Sequence, residues 1–426
     1  EAQGLNDTLT ETGVDDGKSE KPSEMNIEFN GERYVVSLPW KIDCLPFLKD
    51  NYALALGRLN TLYSRLKDHP ELLKEYDAVF RDQLEKGIIE KVNISHDKGQ
   101  SKIHFLSHHC VIRRNHDTTK LRAVFDGSAK AGSDSLSLND CLYQGDNYLP
   151  QIFDNLLRFR SHGIGITADI EKAFLQVEIK ECDRDAVRFL WFENAVHSKE
   201  NLIQYRYKRL VFGLKPSPAI LGATLLKHVS QYESQFPAIV QVLKRLYCDD
   251  LSCSTDKLDD ASEIFHKSKE ILSEGGFNLR KWKTNDKLLS KEFATTENST
   301  HQSPTAAAKE NASPKNPRQP EPGTKVLGVN WDSESDDLFY DLSSVVEFAQ
   351  SLKPTKRSLL KICAKIYDPF GALSVYTIKL KVLFQEFCLK KLGWDEELQG
   401  KDRERYEKFV SEIKGLNGIR GSRCLF

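Results

Sequence analysis

The sequence lacks the features that would assign it to several common classes of protein. No apolar run approaches the length of a membrane-spanning helix, and no stretch has the layout of a signal peptide. The nine cysteines form no C-x-x-C pair and their number is odd, which argues against a zinc ribbon or a disulfide scaffold. Scattered cysteines of this kind are typical of reduced thiols, so we expect an intracellular, cytoplasmic protein that is not secreted.

The sequence also lacks a large net charge of either sign. Lys and Arg number 61 against 62 Asp and Glu, and the net charge of −1 does not by itself indicate a nucleic-acid-binding protein. Residues 1–25 are acidic and polar and predict a disordered tail, whereas basic residues cluster between 353 and 381, where they could hold phosphates. The chain opens with Glu1 and has Met25 as its only methionine, so we expect a piece of a longer polyprotein or an incomplete reading frame.

Length and periodicity predict a mixed protein with two or more subdomains. A chain of 426 residues is too long for a single ordinary core. Residues 284–323 are rich in Thr, Ser, Asn, Pro, Lys and Glu and predict a flexible linker or surface insertion. Strands are predicted at 26–38, 163–170, 187–192, 203–212 and 325–331, and helices at 149–160, 218–230, 238–245 and within 355–392.

Carboxylates mark the ends of two predicted strands. Asp169 ends a buried strand, and the pair Asp249–Asp250 lies at the tip of an apolar–acidic–apolar hairpin at 246–254. If these strand ends meet at one sheet edge, their oxygens suit Mg²⁺ and a two-metal phosphoryl-transfer site. Taken alone, an Asp-Asp pair is more often a solvated turn or a helix cap, so the interpretation depends on the other motifs.

Three motifs in order resemble the palm motifs of reverse transcriptases. They are ADIEKAFLQV (168–177), FGLKPSPA (212–219) and YCDD (247–250). The finer resemblance is to the BEL/Pao class of long-terminal-repeat retrotransposons. It is carried by LPWK (38–41), HFLSHHCVIRR (104–114), TTKLRAVFDGSAK (118–130), LNDCLYQGDNYLP (138–150), GGFNLRKW (275–282) and TKRSLLKICAKIYDPFGALS (355–374). A short YxDD box alone is a weak signal, whereas the whole ordered set is specific.

The resemblance implies an α+β right-hand polymerase fold. Fingers are expected at 26–125 with 178–210, and a palm of antiparallel sheet backed by helices at 126–290. The linker at 284–323 would precede the primer grip, the helical thumb and the start of a connection at 324–426. No D-[ST]-G triplet is present, so we predict no proteolysis from this segment.

The resemblance also implies the catalytic residues. Asp169, Asp249 and Asp250 match the family's catalytic aspartates, and they would bind two Mg²⁺ ions, with Mn²⁺ as an alternative. The carbonyl of Ile170 would add a ligand. Tyr247 and Cys248 complete the YxDD box, in which Cys248 stands at the variable position.

Further positions match nucleotide- and primer-binding residues of the family. Phe174 matches the steric gate that rejects a 2′-hydroxyl, although without the resemblance a core phenylalanine is the simpler interpretation. The remaining matches are Arg122 with Arg113 or Arg114 for the triphosphate, Phe212 and Gly213 for the loop against nucleotide and template, Lys281 for pyrophosphate, and Leu327 and Gly328 for the primer grip.

The main hypothesis from the sequence is an RNA-directed DNA polymerase of a retrotransposon. Its expected partners are an RNA or DNA template with a primer, dNTPs and other parts of the retrotransposon polyprotein, in the cytoplasm or in virus-like particles. Two alternatives stay open. One is a remnant of an element that binds nucleic acid or a partner without catalysis, and the other is a helical bundle at residues 355–392 that serves polyprotein assembly.

Overall fold

The computed structural model describes residues 26–92, 102–112, 121–196, 199–300 and 324–425, with the side chains of 297–300 left aside. Within these ranges the chain combines helices with small, mostly antiparallel sheets, which confirms the predicted α+β class. No helix in them is both long and apolar enough to cross a membrane. The predicted disordered tail, residues 1–25, lies outside the described residues.

The secondary structure alternates short strands with helices. The strands are β1 (Ile27–Phe29), β2 (Tyr34–Val36), β3 (Ile89–Lys91), β4 (Ser107–Ile112), β5 (Leu121–Asp126), β6 (Ile164–Ile170), β7 (Glu178–Ile179), β8 (Arg188–Phe192), β9 (Leu202–Tyr207), β10 (Asp250–Thr255), β11 (Leu279–Thr284), β12 (Thr324–Val326), β13 (Val329–Asp332), β14 (Asp337–Phe339) and β15 (Arg420–Ser422). The α-helices are α1 (Tyr52–Leu66), α2 (Pro70–Glu85), α3 (Ile152–Arg160), α4 (Ala173–Gln176), α5 (Ser217–Val229), α6 (Pro237–Leu243), α7 (Leu258–Glu274), α8 (Lys287–Thr300), α9 (Ser343–Gln350), α10 (Lys356–Lys365), α11 (Ser374–Leu389) and α12 (Gly400–Gly415).

A three-stranded sheet forms the centre of the largest core. Strand β6 lies between β10 and β11, antiparallel to both. Its residues Ile166, Ala168 and Ile170 are buried, as expected for a central strand that is covered on its faces. Helices α3 and α7 pack against this sheet. The sheet therefore has the antiparallel, helix-backed form that the sequence predicts for a palm.

The region next to this sheet has an aromatic core beneath the β4–β5 hairpin and the sheet β3–β9–β8. The rings of Tyr76, Phe80, Phe189 and Trp191 pack around that of His108 at centroid distances of 5.3–5.8 Å. Helices α1 and α2 cover these strands. The β4–β5 hairpin is thereby held from one side, and its other face is free to line a site.

The C-terminal part has its own hydrophobic core. Helices α9 to α12 surround a separate cluster that includes Leu380, Leu383 and Phe387. Strand β15 follows α12 and pairs with β14, in a sheet of order β12–β13–β14–β15. Along the chain, the four helices thus follow β14 and precede β15. Because these two strands pair with each other, the sheet holds both ends of the helical unit.

Three strand predictions were wrong in their extent, and the one at 203–212 overran β9, which ends at Tyr207. Residues 26–38 form the hairpin β1–β2 because the Asn30 side chain accepts from the amides of Glu32 and Arg33, and Gly31 takes a positive φ of 99°. Residues 325–331 likewise form a hairpin, because a turn separates β12 from β13. Both hairpins turn at a glycine: in 325–331 the turn lies inside an apolar run, whereas in 26–38 the polar residues Asn30–Arg33 mark it.

The predicted linker was wrong over its first part. Thr284 ends β11, and residues Lys287–Thr300 form α8. Asp286 accepts from the amides of Leu288 and Leu289 at 2.9 Å each, which caps the helix. Leu289 and Phe293, one helical turn apart, are buried on the core, so a polar composition hid a short amphipathic helix. Residues 301–323 lie outside the described residues.

Candidate active site

The three aspartates of the sequence motifs meet at one edge of the central sheet. Asp169 near the end of β6 is the direct cross-strand partner of Asp250 at the start of β10. Such partners in an antiparallel pair have their Cα atoms about 4.5–5.5 Å apart. The amide of Ile170 donates to the carbonyl of Asp249 at 2.8 Å, which fixes the third carboxylate beside the other two. Two segments 80 residues apart in sequence thus supply one acidic cluster.

A tight turn carries Asp249. The amide of Tyr247 donates to the carbonyl of Asp250 at 2.9 Å, and the amide of Asp250 donates back at 3.1 Å. Cys248 takes a left-handed φ of 61° inside this turn. Burial raises the pKa of its thiol to about 12, so it stays neutral beside the carboxylates. The turn therefore places Asp249 at its tip without adding charge.

The cluster has more negative charge than its protein neighbours compensate. Burial, followed by the charges of Asp249 and Asp169, raises the pKa of Asp250 to about 7, although its side chain keeps one side open to solvent. Burial and then Asp169 also raise the pKa of Asp249, which Arg122 and Lys281 partly oppose. One carboxylate oxygen of Asp169, Oδ1, is buried without any hydrogen-bond partner. An uncompensated cluster with an unpaired oxygen fits a divalent cation.

The protein's own side chains do not yet enclose a metal. Among the described residues, no group of three or more His, Cys, Asp or Glu side chains is already gathered into a metal-binding arrangement. The sequence expectation of metal ligands therefore depends on the unpaired oxygen and the raised pKa values rather than on a formed coordination shell.

Lys281 contacts the cluster through a bulged strand. The pairing of β11 with β6 shifts register between Arg280 and Lys283, and Lys281 has a positive φ of 54°. Its ammonium lies 3.2 Å from Asp169 Oδ2. The neighbouring Arg280 donates to Glu171 at 2.9 Å, a pair that the sequence analysis missed. The structure thus brings Lys281 directly to the acidic edge.

Phe174 lies under Phe212. The Phe174 side chain is only 2% exposed, whereas that of Phe212 is 62% exposed, and their ring centroids are 4.2 Å apart. Gly213 approaches the strand β5 so closely that a Cβ there would lie 2.2 Å from the Phe125 carbonyl oxygen. With a φ of 102° it needs a glycine on both counts. The predicted gate and the predicted loop are therefore in direct contact.

Asn139 holds this loop and was missed by the sequence analysis. Its Nδ2 donates to the Gly213 carbonyl at 2.9 Å, and its Oδ1 accepts from the amide of Lys215 at 2.7 Å. Its own amide donates to the Gly127 carbonyl at 2.9 Å. Asn139 lies in the LNDCL segment already quoted for the family, but nothing local marks it as a loop anchor.

Arg122 lies on β5 opposite Val111, and its charge lowers the pKa of Asp249. Its predicted contact with a triphosphate stays a prediction. Arg113 and Arg114, the predicted neighbouring basic positions, lie outside the described residues.

The predicted primer grip is a two-residue hairpin turn. Leu327 and Gly328 both have positive φ, 48° and 90°, between β12 and β13. Tyr367 donates its hydroxyl to the Leu327 carbonyl at 2.8 Å, and a Cβ on Gly328 would lie 2.6 Å from its ring. Tyr247 of the catalytic turn packs on the same apolar cluster as Leu327. The hairpin therefore adjoins the acidic edge, and Tyr367 is a support that the sequence analysis missed.

Two family models match the chain. Residues 132–330 match the model described as reverse transcriptase (RNA-dependent DNA polymerase). Residues 355–426 match the model described as Pao retrotransposon-like RNaseH-like domain. The fold, the acidic edge and the first match support a reverse transcriptase. Together the two matches support a Pao-type retrotransposon reverse transcriptase, as the sequence resemblance implied.

The second match falls on residues that the sequence analysis assigned to the thumb and the start of a connection. In the structure the described part of this range forms α10, α11, α12 and the edge strand β15. The description of the matched model names an RNaseH-like domain, whereas this segment contributes helices and one strand. We propose no ribonuclease activity for it.

Solved structures of foamy virus proteins are among those similar to this chain. One is a protease-reverse transcriptase dRH in complex with double-stranded DNA, with 16% identity, a TM-score of 0.51, and coverage of 82% of this chain and 48% of that one. Another is a protease-reverse transcriptase in complex with an RNA/DNA hybrid, with 16% identity, a TM-score of 0.48, and coverage of 82% and 38%. The chain thus spans about half the length of the first of these, and the likeness shows the fold. No curated protein matches the chain.

Proposed function

We propose that this chain is an RNA-directed DNA polymerase that joins dNTPs to the 3′-hydroxyl of a primer on an RNA or DNA template. The observation that carries the proposal is the pairing of Asp169 with Asp250 beside Asp249, with Asp169 Oδ1 left unpaired. The fold and the reverse transcriptase match support it. The partners would include other parts of the retrotransposon polyprotein, in the cytoplasm or in virus-like particles.

The three aspartates, with the carbonyl of Ile170, would hold two Mg²⁺ ions, or Mn²⁺ in their place. Reverse transcriptases as a family use divalent metals, and the charge excess at this edge suits them. When bound, such ions activate the primer hydroxyl and neutralise charge on the leaving pyrophosphate. The chain's own task is to fix the carboxylates, which the cross-strand pair and the Ile170 amide accomplish.

Basic side chains at the edge would bind the triphosphate. Arg122 suits phosphate oxygens because a guanidinium donates paired hydrogen bonds. Lys281 is paired with Asp169 at 3.2 Å, and we propose that it exchanges this carboxylate for a phosphate oxygen when the nucleotide binds. The positive charges of Arg122 and Lys281 both lower the pKa of the Asp249 carboxyl. Arg122 precedes Asp249 in the sequence and Lys281 follows it.

Selection of deoxynucleotides would fall to Phe174. Because Phe212 covers its ring, we propose that the incoming nucleotide displaces Phe212 and then meets Phe174 beneath the sugar. The Leu327–Gly328 turn between β12 and β13 would hold the primer end through its backbone.

Primer extension tests the proposal. Wild-type protein, an RNA template, a DNA primer, dNTPs and Mg²⁺ or Mn²⁺ should yield extended primer, and Asp249→Asn should not. A matched control is Asp256→Asn. Asp256 directly follows β10, at the end of that strand away from the acidic edge, and its exposed carboxylate pairs with His162. Extension that persists in Asp249→Asn would refute the metal-binding role. Salt-dependent binding of primer–template without any incorporation by the wild type would favour the non-catalytic remnant.

A further inference from the structure

The side chain of Arg423 is fully buried although it carries a permanent charge. Its Nε and one Nη donate to the two carboxylate oxygens of Asp336 at 2.7 and 2.9 Å. The other donors reach the carbonyls of Phe159, His162 and Gly163 at 2.6–2.9 Å. A guanidinium has five N–H groups, and all five are used here. Complete pairing of this kind is what a buried charge requires.

The acceptors of Arg423 belong to two different parts of the fold. Phe159, His162 and Gly163 form the corner between α3 and β6, where the carbonyl end of α3 attracts a cation. Asp336 lies in the turn between β13 and β14. Strand β6 leads from this corner to Asp169, so Arg423 connects the strand of the first catalytic aspartate to the sheet of the primer-grip hairpin.

Asp336 also links Arg423 to the β12–β13 hairpin through Trp331. Its Oδ1 accepts from Trp331 Nε1 at 3.0 Å. Trp331 is fully buried and packs edge-on against Phe159, with a centroid distance of 5.0 Å. Trp331 pairs with Thr324 across β12 and β13, the two strands that the Leu327–Gly328 turn joins. The hairpin is therefore held through its base.

We propose that Arg423 is a positioning residue for the primer end. In this proposal, which rests on the proposed polymerase function, Arg423 and Asp336 fix the distance between the Leu327–Gly328 turn and Asp169. A looser pair would leave the primer terminus misplaced relative to the carboxylates. It would not affect dNTP binding, because Arg122 is held by a different element, β5.

The surroundings of Arg423 are shaped to hold it in one place. A Cβ on Gly165 would lie 2.9 Å from its Nε, so the glycine in β6 makes room for the guanidinium. Arg160 binds the backbone of the same segment, with its Nε and Nη2 each 3.0 Å from the carbonyls of Arg423 and Ser422. Gly165→Ala therefore offers a second way to displace Arg423 without removing a charge.

Two variants and one control test the proposal. Arg423→Lys keeps the charge and loses most of the five hydrogen bonds, while Gly165→Ala forces the guanidinium from its place. Arg420→Ala is the control, since Arg420 lies on the adjacent strand β15 and makes an exposed ion pair with Asp332 at 3.1 Å. Single-nucleotide incorporation would give KM for primer–template and, separately, KM for dNTP. Amide hydrogen exchange of the protein without nucleic acid would report on residues 326–329.

We expect both variants to raise KM for primer–template about tenfold or more and to change KM for dNTP less than about twofold, because a small misplacement suffices for such a loss. Exchange at 326–329 should quicken in both variants, whereas Arg420→Ala should match the wild type. Unchanged exchange, or an equal rise in both KM values, would overturn the positioning role. Absence of extension by the wild type would instead refute the proposed function, and the exchange data would still decide whether Arg423 holds the hairpin.

Discussion

Two charged centres of this molecule are treated in opposite ways. At the acidic edge, Asp169, Asp249 and Asp250 lie together with incomplete compensation, and the pKa of Asp250 rises to about 7. At the other end of β6, the charge of Arg423 is fully buried and every donor has an acceptor. One strand thus leads from a completely paired charge to an incompletely paired one.

The difference separates charges that serve the fold from charges that serve a ligand. A buried ion is tolerated when its hydrogen bonds are complete, and it then fixes the elements that it joins. Crowded carboxylates without enough cations store unfavourable electrostatic energy, which a ligand of opposite charge can relieve. If this interpretation is right, substitutions at the two centres should separate activity from stability.

The largest expected effect is on activity at the acidic edge. Asp249→Asn should lower the rate of primer extension by about 1,000-fold or more, because a charge that faces the reaction is lost. The free energy of unfolding should stay equal or increase, since the substitution removes repulsion from Asp169 and Asp250. Mg²⁺ should raise the unfolding temperature of the wild type and not that of the variant. A loss of stability as large as the loss of activity would break the comparison.

The next effect is on stability at the Arg423 centre. Asp336→Asn should lower the free energy of unfolding by roughly 3–5 kcal/mol, because it leaves a buried guanidinium without its counter-ion. Asp332→Asn is the matched control: it breaks a more exposed ion pair with Arg420 and should cost less than about 1 kcal/mol. Urea unfolding measures both. Equal values for the two variants would show that the buried pair contributes no more than a surface one.

The pH dependence of the free energy of unfolding extends the comparison to His108, a buried side chain that stays neutral. Burial lowers the pKa of His108 to about 4, and its ring bonds Tyr76 Oη at 2.7 Å and the Leu190 carbonyl at 3.0 Å. Because the folded-state pKa lies below the unfolded value of about 6.5, the unfolded state binds the proton first. The stability that His108 contributes is therefore complete above pH 6.5 and lost as the pH falls towards 4.

The loss should amount to roughly 2 kcal/mol between pH 6.5 and 5, which follows from about 1.4 kcal/mol per pH unit. His108→Asn should show a shallower decline of unfolding free energy over this window, whatever its stability at pH 7. His69→Asn, at an exposed position just before α2, is the control. The same slope in all three proteins would assign the acid sensitivity to other groups.

The sequence predicted the acidic centre far better than the Arg423 centre. Asp169 and Asp249–Asp250 stand in short motifs, so local pattern and chemistry point to them together. Arg423 stands in no motif, and its carbonyl partner Phe159 is 264 positions away. Asn139 likewise acts on a loop 74 positions distant. Such roles arise only from tertiary contact, and single-sequence periodicity contains no information about them. The helix α8 was missed for a different reason: of its described side chains, those of 287–296, only Leu289 and Phe293 are buried, within a polar run.

The smallest expected effect concerns an apolar group, Phe174, for which packing and function make different predictions. Its ring is buried under Phe212, so a purely structural role is physically sufficient to explain it. If it serves as a gate, Phe174→Val should raise incorporation of ribonucleotides about tenfold, a change in discrimination of about 1.4 kcal/mol, and leave deoxynucleotide use largely intact. Competition between dCTP and CTP opposite a templating G measures this ratio.

Phe212→Val is the matched control for Phe174, because it removes the covering ring and leaves the gate in place. It should not weaken nucleotide binding, because no ring has to be displaced, and it should leave the choice between the two sugars unchanged. Unchanged discrimination in Phe174→Val, together with a loss of stability of roughly 1–3 kcal/mol, would assign the residue to the core alone. Increased incorporation of ribonucleotides by Phe174→Val would instead show that Phe174, like the carboxylates of this edge, serves the ligand. Packing against Phe212 would then fix the Phe174 ring in position before the nucleotide binds.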